Sequence, residues 1–257
     1  STGAGNDQVR FDTALRALAP EMHILTPIRE QGLSREAETA YLRARGIPVD
    51  EKICTYSINT GMWGTTIGGG RIHDPAAPIP DDAYPTVVSS QEAPAEGVRL
   101  RIDFAHGLPV AIDGDPCDGV ELLARLHEVG ARHGVGRGVH LGDTIMGIKG
   151  RIAFEAPAAT ILLTAHRELE KVVLTRWQQL IKDRMADWYG MFVHEALYYD
   201  PAGRDIEALI ASSQQRVNGT VVVRLLRGII TVEGIETPHS LMHAKVATYG
   251  EQQSLWD

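Results

Sequence analysis

The sequence predicts an α+β fold in which antiparallel hairpins pack with helices. Two hairpin patterns support this prediction, because residues 98–112 and 220–235 each contain two strand-like runs separated by a short turn. Amphipathic helical patterns precede and separate these hairpins, for example over residues 120–129. Such an interspersed order of helices and hairpins is typical of an α+β domain, and the sequence shows no internal repeat.

The N-terminal fifth of the chain is predicted to be mainly helical. A helical pattern opens at Asn6 and stops at Pro20, where the ring of proline cannot continue a helix. Residues 23–28 predict a short strand. Ser34 is a suitable N-cap for a second helix over residues 35–45, which a Gly-x-Pro sequence then ends.

Residues 57–94 differ from the rest of the chain in composition and in hydrophobic pattern. They contain three consecutive glycines and five prolines, with little hydrophobic periodicity. We interpret the segment as long ordered loops, with Met62 and Trp63 supplying an apolar anchor. Loops of this length within a compact domain are usually functional or disordered.

The middle of the chain begins with the first predicted hairpin. Residues 98–104 alternate, so that Leu100, Ile102 and Phe104 lie on one side of a strand. His106-Gly107 then provides a turn before the returning strand. The alternation predicts that one face of this hairpin is buried.

Helical patterns dominate the region between the two hairpins. An amphipathic helix over residues 120–129 is predicted to close at Gly130, and a Gly-rich loop follows over residues 133–138. Residues 165–186 predict one long helix, and residues 205–217 predict another, ended by an Asn-Gly pair.

Six aromatic side chains cluster in sequence around the end of the long helix. For these residues we favour core packing or a subunit contact over a platform for nucleobases. A mixed aromatic surface of this size would otherwise face water, which predicts self-association of the chain. The six are Trp177, Trp188, Tyr189, Phe192, Tyr198 and Tyr199.

Composition excludes several classes of function. The 257 residues are 44% hydrophobic, which is ordinary for a globular protein, and their net charge of −8 opposes binding to nucleic acid. No apolar run approaches the ~20 residues of a membrane-spanning helix, so no membrane partner is expected. The two cysteines, Cys54 and Cys117, form neither a disulfide framework nor a C-x-x-C pair. These features, with no signal peptide, predict a cytoplasmic protein.

No metal or dinucleotide site is expected from the glycine- and histidine-containing stretch. His133 and His140, with Asp143 nearby, match no familiar zinc spacing, and lone loop histidines are more often exposed or structural. The glycines of residues 134–138 do not form G-x-G-x-x-G.

The first residues carry the clearest chemical signal. A glycine-containing lead into a helix start exposes backbone N–H groups at the positive end of the helix dipole, which favours an anion such as phosphate or carboxylate. Asn6 offers a donor and an acceptor, and Asp7 can accept from an ammonium or ureido nitrogen. Arg10 lies one turn further on the same helix face and can bind a carboxylate through two parallel hydrogen bonds. On chemistry alone we favour an ordinary helix start after a Gly-rich lead, because such starts are common.

The same segment, S-T-G-A-G-N-D-Q-V-R-F, resembles the motif that argininosuccinate synthases place just after their nucleotide domain. Ala4 departs from it, because many family members carry Lys there. Further runs resemble family motifs in the same order: Y-S-I-N and M-W-G-T-T within 56–66, H-G-V-G-R at 133–137, G-I-K-G-R at 147–151, F-E-A-P at 154–157, and T-I-L with A-H at 160–166. The resemblance covers nearly the whole chain, and it implies the synthetase-type α+β domain of that family.

The resemblance also implies binding residues by matching positions in the motifs. The implied aspartate-binding positions are Thr2, Asn6 and Asp7. The implied citrulline-binding positions are Asn6, Arg10, Ser57 and Thr66, where Thr66 keeps the hydroxyl of the usual Ser. The implied contacts to ATP are Thr2, Gly3 and Gly5. Without the resemblance, Ser57 and Thr66 would read as turn residues bonded to their own backbone.

Two departures affect the implied citrulline site. Family members usually carry Glu and Tyr, both contacts to citrulline, where this chain has Gly142 and Phe154. Phenylalanine keeps the ring but cannot donate a hydrogen bond. Asp143, one residue away, is our preferred substitute for the carboxylate. The alternative is an acceptor whose amino group is masked by an acyl group.

The implied activity is an ATP-dependent ligation, with ATP and Mg²⁺, of citrulline to aspartate by a homotetramer. We expect residues 1–257 to be the synthetase and multimerisation domain, with residues 1–28 as the tail of the nucleotide-binding domain. The family's pyrophosphate loop, S-G-G-x-D-[TS]-S, does not occur in these residues, so this chain alone is not expected to activate citrulline. Either the chain is a fragment of a complete synthase, or it is a non-catalytic binding and assembly domain that works with a separate nucleotide-binding subunit.

Overall fold

The computed structural model describes residues 5–49 and 56–243. Within these ranges the chain forms seven α-helices and nine strands, so the predicted α+β class is confirmed. The helices are α1 Asn6–Leu18, α2 Pro27–Gln31, α3 Arg35–Arg43, α4 Gly119–Arg132, α5 Pro157–Val173, α6 Arg176–His194 and α7 Pro201–Gln214. The strands are β1 Ser57–Gly61, β2 Gly64–Gly68, β3 Val98–Ala105, β4 Leu108–Ile112, β5 Asp115–Pro116, β6 Arg137–Asp143, β7 Lys149–Glu155, β8 Gly219–Leu226 and β9 Ile229–Glu236.

The chain divides into two compact units. The first unit contains the described residues up to Pro85, together with Gly138–Glu155 and Asp187–Ile206. The second unit contains Thr86–Arg137, Ala156–Ala186 and the described residues from Glu207 onward. No helix among the described residues is long and apolar enough to cross a membrane.

The second unit is built on a five-stranded antiparallel sheet with the order β5-β4-β3-β8-β9. Both predicted hairpins are present, and Leu100, Ile102 and Phe104 of β3 are buried as their alternation predicts. Helices α4 and α5 pack against one another and against this sheet, and Leu122 and Ile161 lie fully inside the shared core. Burial of these apolar side chains stabilises the unit, by about 25 cal/mol for each Å² of apolar surface removed from water.

Several predicted helix boundaries were wrong, and the helix predicted over residues 205–217 is observed as α7 Pro201–Gln214, ending before the Asn-Gly pair. The helix predicted over residues 165–186 is two helices, because Thr175 starts a new one: its hydroxyl accepts from the N–H of Gln178, whose side chain accepts from the N–H of Thr175. Gly130 does not end α4 but lies within it, where a Cβ would stand 2.8 Å from Cβ of Pro157. The glycine therefore allows close packing of α4 and α5 rather than a helix stop.

The turn between α4 and β6 requires glycine at residue 136. Gly136 has φ +98°, and a Cβ there would lie 2.5 Å from the backbone nitrogen of Pro157. We expect Gly136→Ala to lower the free energy of unfolding by about 2 kcal/mol, because positive φ and contact with backbone both disfavour a side chain. Denaturant unfolding measures this. The matched control is Gly119→Ala, since no atom lies within 4 Å of a Cβ there; equal losses in the two variants would contradict the explanation.

A buried polar network joins three helices of the second unit. Glu170 of α5 accepts from Nζ of Lys182 at 2.6 Å and from Nε2 of Gln214 at 2.8 Å. Gln214 in turn lies 2.9 Å from Nε2 of His166, and burial lowers the pKa of that imidazole. Burial also opposes the charge on Lys182, but hydrogen bonds to Asp183 and Glu170 outweigh it and raise the pKa of Lys182.

The first unit contains a four-stranded antiparallel sheet with the order β1-β2-β7-β6. The interpretation of residues 57–94 as loops was therefore wrong at its start, where β1 and β2 form a hairpin. Met62 and Trp63 do not anchor the segment, because they lie in the hairpin turn and are exposed. The buried contacts come instead from Ile67 in β2 and Ile72 in the following 3-10 turn at Gly70–His73.

The N-terminal helices of the first unit agree with prediction except at residues 23–28. Helix α1 begins at Asn6, and the hydroxyl of Ser34 caps α3 by accepting from the N–H of Ala37. The predicted strand is absent from the described residues; α2 begins at Pro27 instead. Glu30 reaches back to accept from the N–H and hydroxyl of Thr26, which is the pattern of a helix start.

Candidate functional site

The candidate site begins at the N-terminal end of α1. Gly5 is the N-cap in an extended conformation, and no side chain caps the helix. The first N–H groups of α1 therefore lack a side-chain acceptor from the cap, and the helix dipole favours an anion beside them. Thr2 and Gly3, the other residues implied to contact ATP, lie outside the described residues, as does Cys54.

Asn6 links this helix start to the hairpin formed by β6 and β7. Its Oδ1 accepts a hydrogen bond of 2.9 Å from the backbone N–H of Ile145, in the loop of that hairpin. The loop begins directly after Asp143, the last residue of β6. The structure thus brings two predicted positions, Asn6 and the end of β6, to one end of the hairpin.

Arg10 uses all three nitrogens of its guanidinium within the first unit. Nη1 donates to Asp7 at 2.9 Å, Nε donates to the carbonyl of His194 at 3.0 Å, and Nη2 lies 3.0 Å from Nδ1 of His194. A guanidinium has only donors, so Nδ1 of His194 must accept. His194 ends α6, where carbonyl groups and the negative end of the dipole attract a cation. A ligand carboxylate would bind Arg10 by replacing one of these acceptors.

The predicted hydroxyl residues lie on one face of the four-stranded sheet. Thr66 is paired with Asn59 of β1 on one side and with Phe154 of β7 on the other. Ser57 is two residues before Asn59, so it lies on the same face. We call this surface the open face, because the opposite face carries the buried residues Ile67 and Ala153. The register, rather than the sequence, brings Ser57 and Thr66 together.

Two positions on this face, Asn59 and His140, were given no binding role from the sequence. Asn59 was quoted only as part of a motif, although its spacing of two from Ser57 could have placed it on the same face. His140 could not have been found in that way, because β6 was not predicted. Its Nε2 lies 2.6 Å from the point where a Cβ on Gly142 would stand. The imidazole of His140 therefore occupies the space above Gly142.

The ring of Phe154 lies over the neighbouring edge strand. A Cβ on Gly138 would stand 2.3 Å from Cζ of Phe154, so only glycine leaves room for this ring. Phe154 and Gly138 thereby continue the row that Asn59 and Thr66 begin, from β1 across to β6. The open face combines two hydroxyls, an amide, an aromatic ring and an imidazole.

Asp143, the predicted substitute for a carboxylate at residue 142, already has a partner. Its Oδ2 accepts from Nζ of Lys149 at 2.8 Å across the hairpin. Both side chains are largely exposed, so the pair is worth no more than about 1 kcal/mol. Its role in binding an acceptor stays a prediction. In residues 5–49 and 56–243, no three His, Cys, Asp or Glu side chains are grouped as a metal site would require.

Comparisons with known proteins confirm the family resemblance that the motifs indicated. Residues 56–257 match the family model of the arginosuccinate synthase C-terminal domain, and residues 1–48 match that of the arginosuccinate synthase N-terminal HUP domain. The match to the N-terminal domain extends to residue 48. That the tail of the nucleotide-binding domain ends at residue 28 stays a prediction. The chain is also similar over its length to curated proteins from archaea and bacteria.

Three relatives illustrate the similarity. Argininosuccinate synthase of Pyrococcus furiosus is 40% identical over 256 residues, which is 100% of this chain and 62% of the relative. The enzyme of the same name from Methanocaldococcus jannaschii is 37% identical over 98% of this chain and 64% of its own length. Argininosuccinate synthase of Chlorobium phaeobacteroides strain BS1 is 40% identical over 97% of this chain and 63% of its own length. The chain thus spans somewhat under two thirds of the length of these relatives.

Proposed function

We propose a function for this chain from one established premise: it belongs to the argininosuccinate synthase family. We infer that the chain contributes the acceptor- and aspartate-binding part of an ATP-dependent ligase that condenses citrulline with aspartate. The observation that carries the proposal is the placement of the described part of the motif, G-N-D-Q-V-R-F, whose Asn6 begins an uncapped helix and bonds to the β6–β7 hairpin.

The proposed chemistry has two steps. The ureido oxygen of citrulline attacks the α-phosphorus of ATP and pyrophosphate leaves, which gives citrullyl-AMP. The amino group of aspartate then attacks the ureido carbon and AMP leaves, which gives argininosuccinate and releases a proton. Most of the rate enhancement in such a reaction comes from positioning two amino acids and neutralising phosphate charge.

The chain's residues suit the positioning of both amino acids. Asn6 and Asp7, with Thr2, are proposed to hold aspartate, and Asp7 either binds its ammonium group or helps to deprotonate it. Arg10 is proposed to bind the carboxylate of the acceptor, for which its planar donors are suited. Ser57 and Thr66 are proposed to bond the acceptor from the open face, where the strand register places them together.

ATP and Mg²⁺ are proposed as a substrate and its counter-ion. Gly3 and Gly5 precede the uncapped start of α1, and the N–H groups there suit a phosphate oxygen. The main nucleotide site is proposed to lie on a pyrophosphate loop that is not among these 257 residues. Bound Mg²⁺ would neutralise charge on the leaving pyrophosphate.

The proposed location is the cytoplasm. The sequence has two cysteines and no disulfide framework, which suits a reducing compartment.

The test is product formation by the longest polypeptide that the coding sequence encodes, supplied with ATP, Mg²⁺, citrulline and radiolabelled aspartate. We expect ATP-dependent argininosuccinate, and we expect Asn6→Ala to reduce kcat/KM because the link from α1 to Ile145 is lost. The matched control is Gln8→Ala, because among the described residues the Gln8 side chain donates to Asp12 of the same helix. Absence of product from the unmodified polypeptide would contradict the proposal and favour a non-catalytic assembly role.

The proposed assembly is a homotetramer, and it predicts self-association. Trp188, Met191, Tyr198 and Tyr199 of the first unit are all about half exposed, at 58%, 56%, 45% and 46%. Apolar surface of this kind is usually covered by another protein surface. We expect Trp188→Glu to shift the equilibrium toward smaller species in sedimentation velocity. A monomer at micromolar concentration for the unmodified protein would contradict the proposed assembly.

A further inference from the structure

The open face of the four-stranded sheet has an unusual composition. Alternation along β1, β2, β7 and β6 places twelve residues on it, and six of them are glycine. Glycine in a strand often marks close approach of a ligand to the backbone. The remaining six are Ser57, Asn59, Thr66, Ile152, Phe154 and His140. Over these four strands, which the structure describes throughout, no residue of the open face is a carboxylate.

Two carboxylates at the end of the β6–β7 hairpin, Asp143 of β6 and Asp7 next to Asn6, are paired with cations. Asp7 bonds Nη1 of Arg10 at 2.9 Å, and Asp143 bonds Nζ of Lys149 at 2.8 Å. Glu155, the only acid within β7, is fully buried and alternates to the opposite face. The four strands of the open face therefore offer a ligand neutral polar groups, an aromatic ring and an imidazole, and no carboxylate.

This composition bears on the amino end of the acceptor. A free α-ammonium group is strongly solvated and binds best to a carboxylate, whereas an amide needs only neutral donors and acceptors and an apolar neighbour. The hydroxyls of Ser57 and Thr66 and the amide of Asn59 supply the neutral donors and acceptors. The ring of Phe154 supplies the apolar neighbour, and the space over Gly150 is open, with no atom within 4 Å of a Cβ built there.

We propose that the acceptor of this enzyme is a ureido amino acid whose α-amino nitrogen is acylated, with His140 and Phe154 over the neutral amide. This inference rests on the proposed function and names the class of its acceptor. Acylation removes the only cation of citrulline, so the acceptor needs no carboxylate on the open face. His140 determines specificity, because it fills the space above Gly142 where an acidic side chain would otherwise reach the ligand.

The test compares citrulline with N-acetylcitrulline as acceptors for the longest encoded polypeptide, with ATP, Mg²⁺ and aspartate. We expect kcat/KM to favour N-acetylcitrulline by at least about tenfold, the discrimination that one charge-assisted hydrogen bond supplies. Isothermal titration with each acceptor, without ATP, gives a second readout and should show the same preference. Preference for citrulline in both measurements overturns the inference but leaves the proposed ligase standing. Turnover of neither acceptor overturns both.

A pair of adjacent substitutions tests the role of the face itself. His140→Glu puts a carboxylate on the open face and should shift the ratio of the two kcat/KM values toward citrulline by at least about tenfold. Leu141→Glu is the matched control, because it adds the same charge to the same strand on the other face, at an exposed residue. An unchanged ratio in both variants, or the same shift in both, overturns the assignment to this face.

Discussion

Replacing Lys182 by alanine is expected to lower the free energy of unfolding by about 3 kcal/mol. The change leaves Glu170, which is 3% exposed, as a buried carboxylate that retains the hydrogen bond from Gln214 and, 3.8 Å away, Nδ1 of His166. Removing one partner of a buried ion pair usually costs about 3–5 kcal/mol, and the bond from Gln214 places this case at the low end. Urea unfolding followed by circular dichroism at neutral pH measures the loss.

The matched control is Lys171→Ala, which removes the exposed partner of Glu168 on the same helix. An exposed pair contributes little, so the expected change is within about 0.5 kcal/mol. Because the pKa of Lys182 is raised in the folded protein, the free energy of unfolding depends on pH. The stabilisation by Lys182 is complete below the unfolded pKa of lysine and is lost as pH rises through the higher folded pKa. Similar losses for both variants would show that the pair with Glu170 does not anchor α6.

Arg10→Ala in the longest encoded polypeptide is expected to impair use of the acceptor far more than use of aspartate. A forked contact between guanidinium and carboxylate is worth roughly 2–5 kcal/mol, part of it for the partner left unpaired. We therefore expect kcat/KM for the acceptor to fall at least about 30-fold. Steady-state kinetics with each amino acid varied in turn measures the two effects separately.

The structure adds a second expectation for this variant. Arg10 bonds the carbonyl and the ring of His194, so alanine also removes a link between α1 and the end of α6. Arg10→Lys keeps the charge but cannot form the fork, and we expect it to recover only a small part of the activity. Arg16→Ala, an exposed change on the same helix, is the control. Equal changes in the two KM values for Arg10→Ala would contradict the assignment of Arg10 to the acceptor.

The second unit could be predicted well because its local patterns agree with its packing. Leu100 and Ile102 alternate in β3 and both lie in the core. The errors in helix boundaries came at residues whose type is compatible with both a helix interior and a helix end. Gly130 resembles a helix stop, but tertiary packing against Pro157 uses it inside α4. The polar Thr175 gave no break in apolar periodicity, although its side chain starts a new helix.

The first unit was harder to predict, since its sheet is apolar on one face only and rich in glycine on the other. Strand β1, S-I-N-T-G, contains a single large apolar side chain, so its period of two carries little signal. Ser57 and Thr66 were identified through resemblance, and only the register shows that they share a face. His140 lay on a strand that sequence patterns did not indicate. Its position above Gly142 is a tertiary contact that no local pattern encodes.

The most direct test of the central claim follows an oxygen atom. Acceptor labelled with ¹⁸O at the ureido oxygen is incubated with ATP, Mg²⁺, aspartate and the longest encoded polypeptide, and AMP is examined by mass spectrometry. If the ureido oxygen attacks the α-phosphorus and aspartate then displaces AMP, each AMP gains one ¹⁸O. AMP without the label, or label retained in the product, would contradict the proposed ligase mechanism and with it the functional role assigned to this chain.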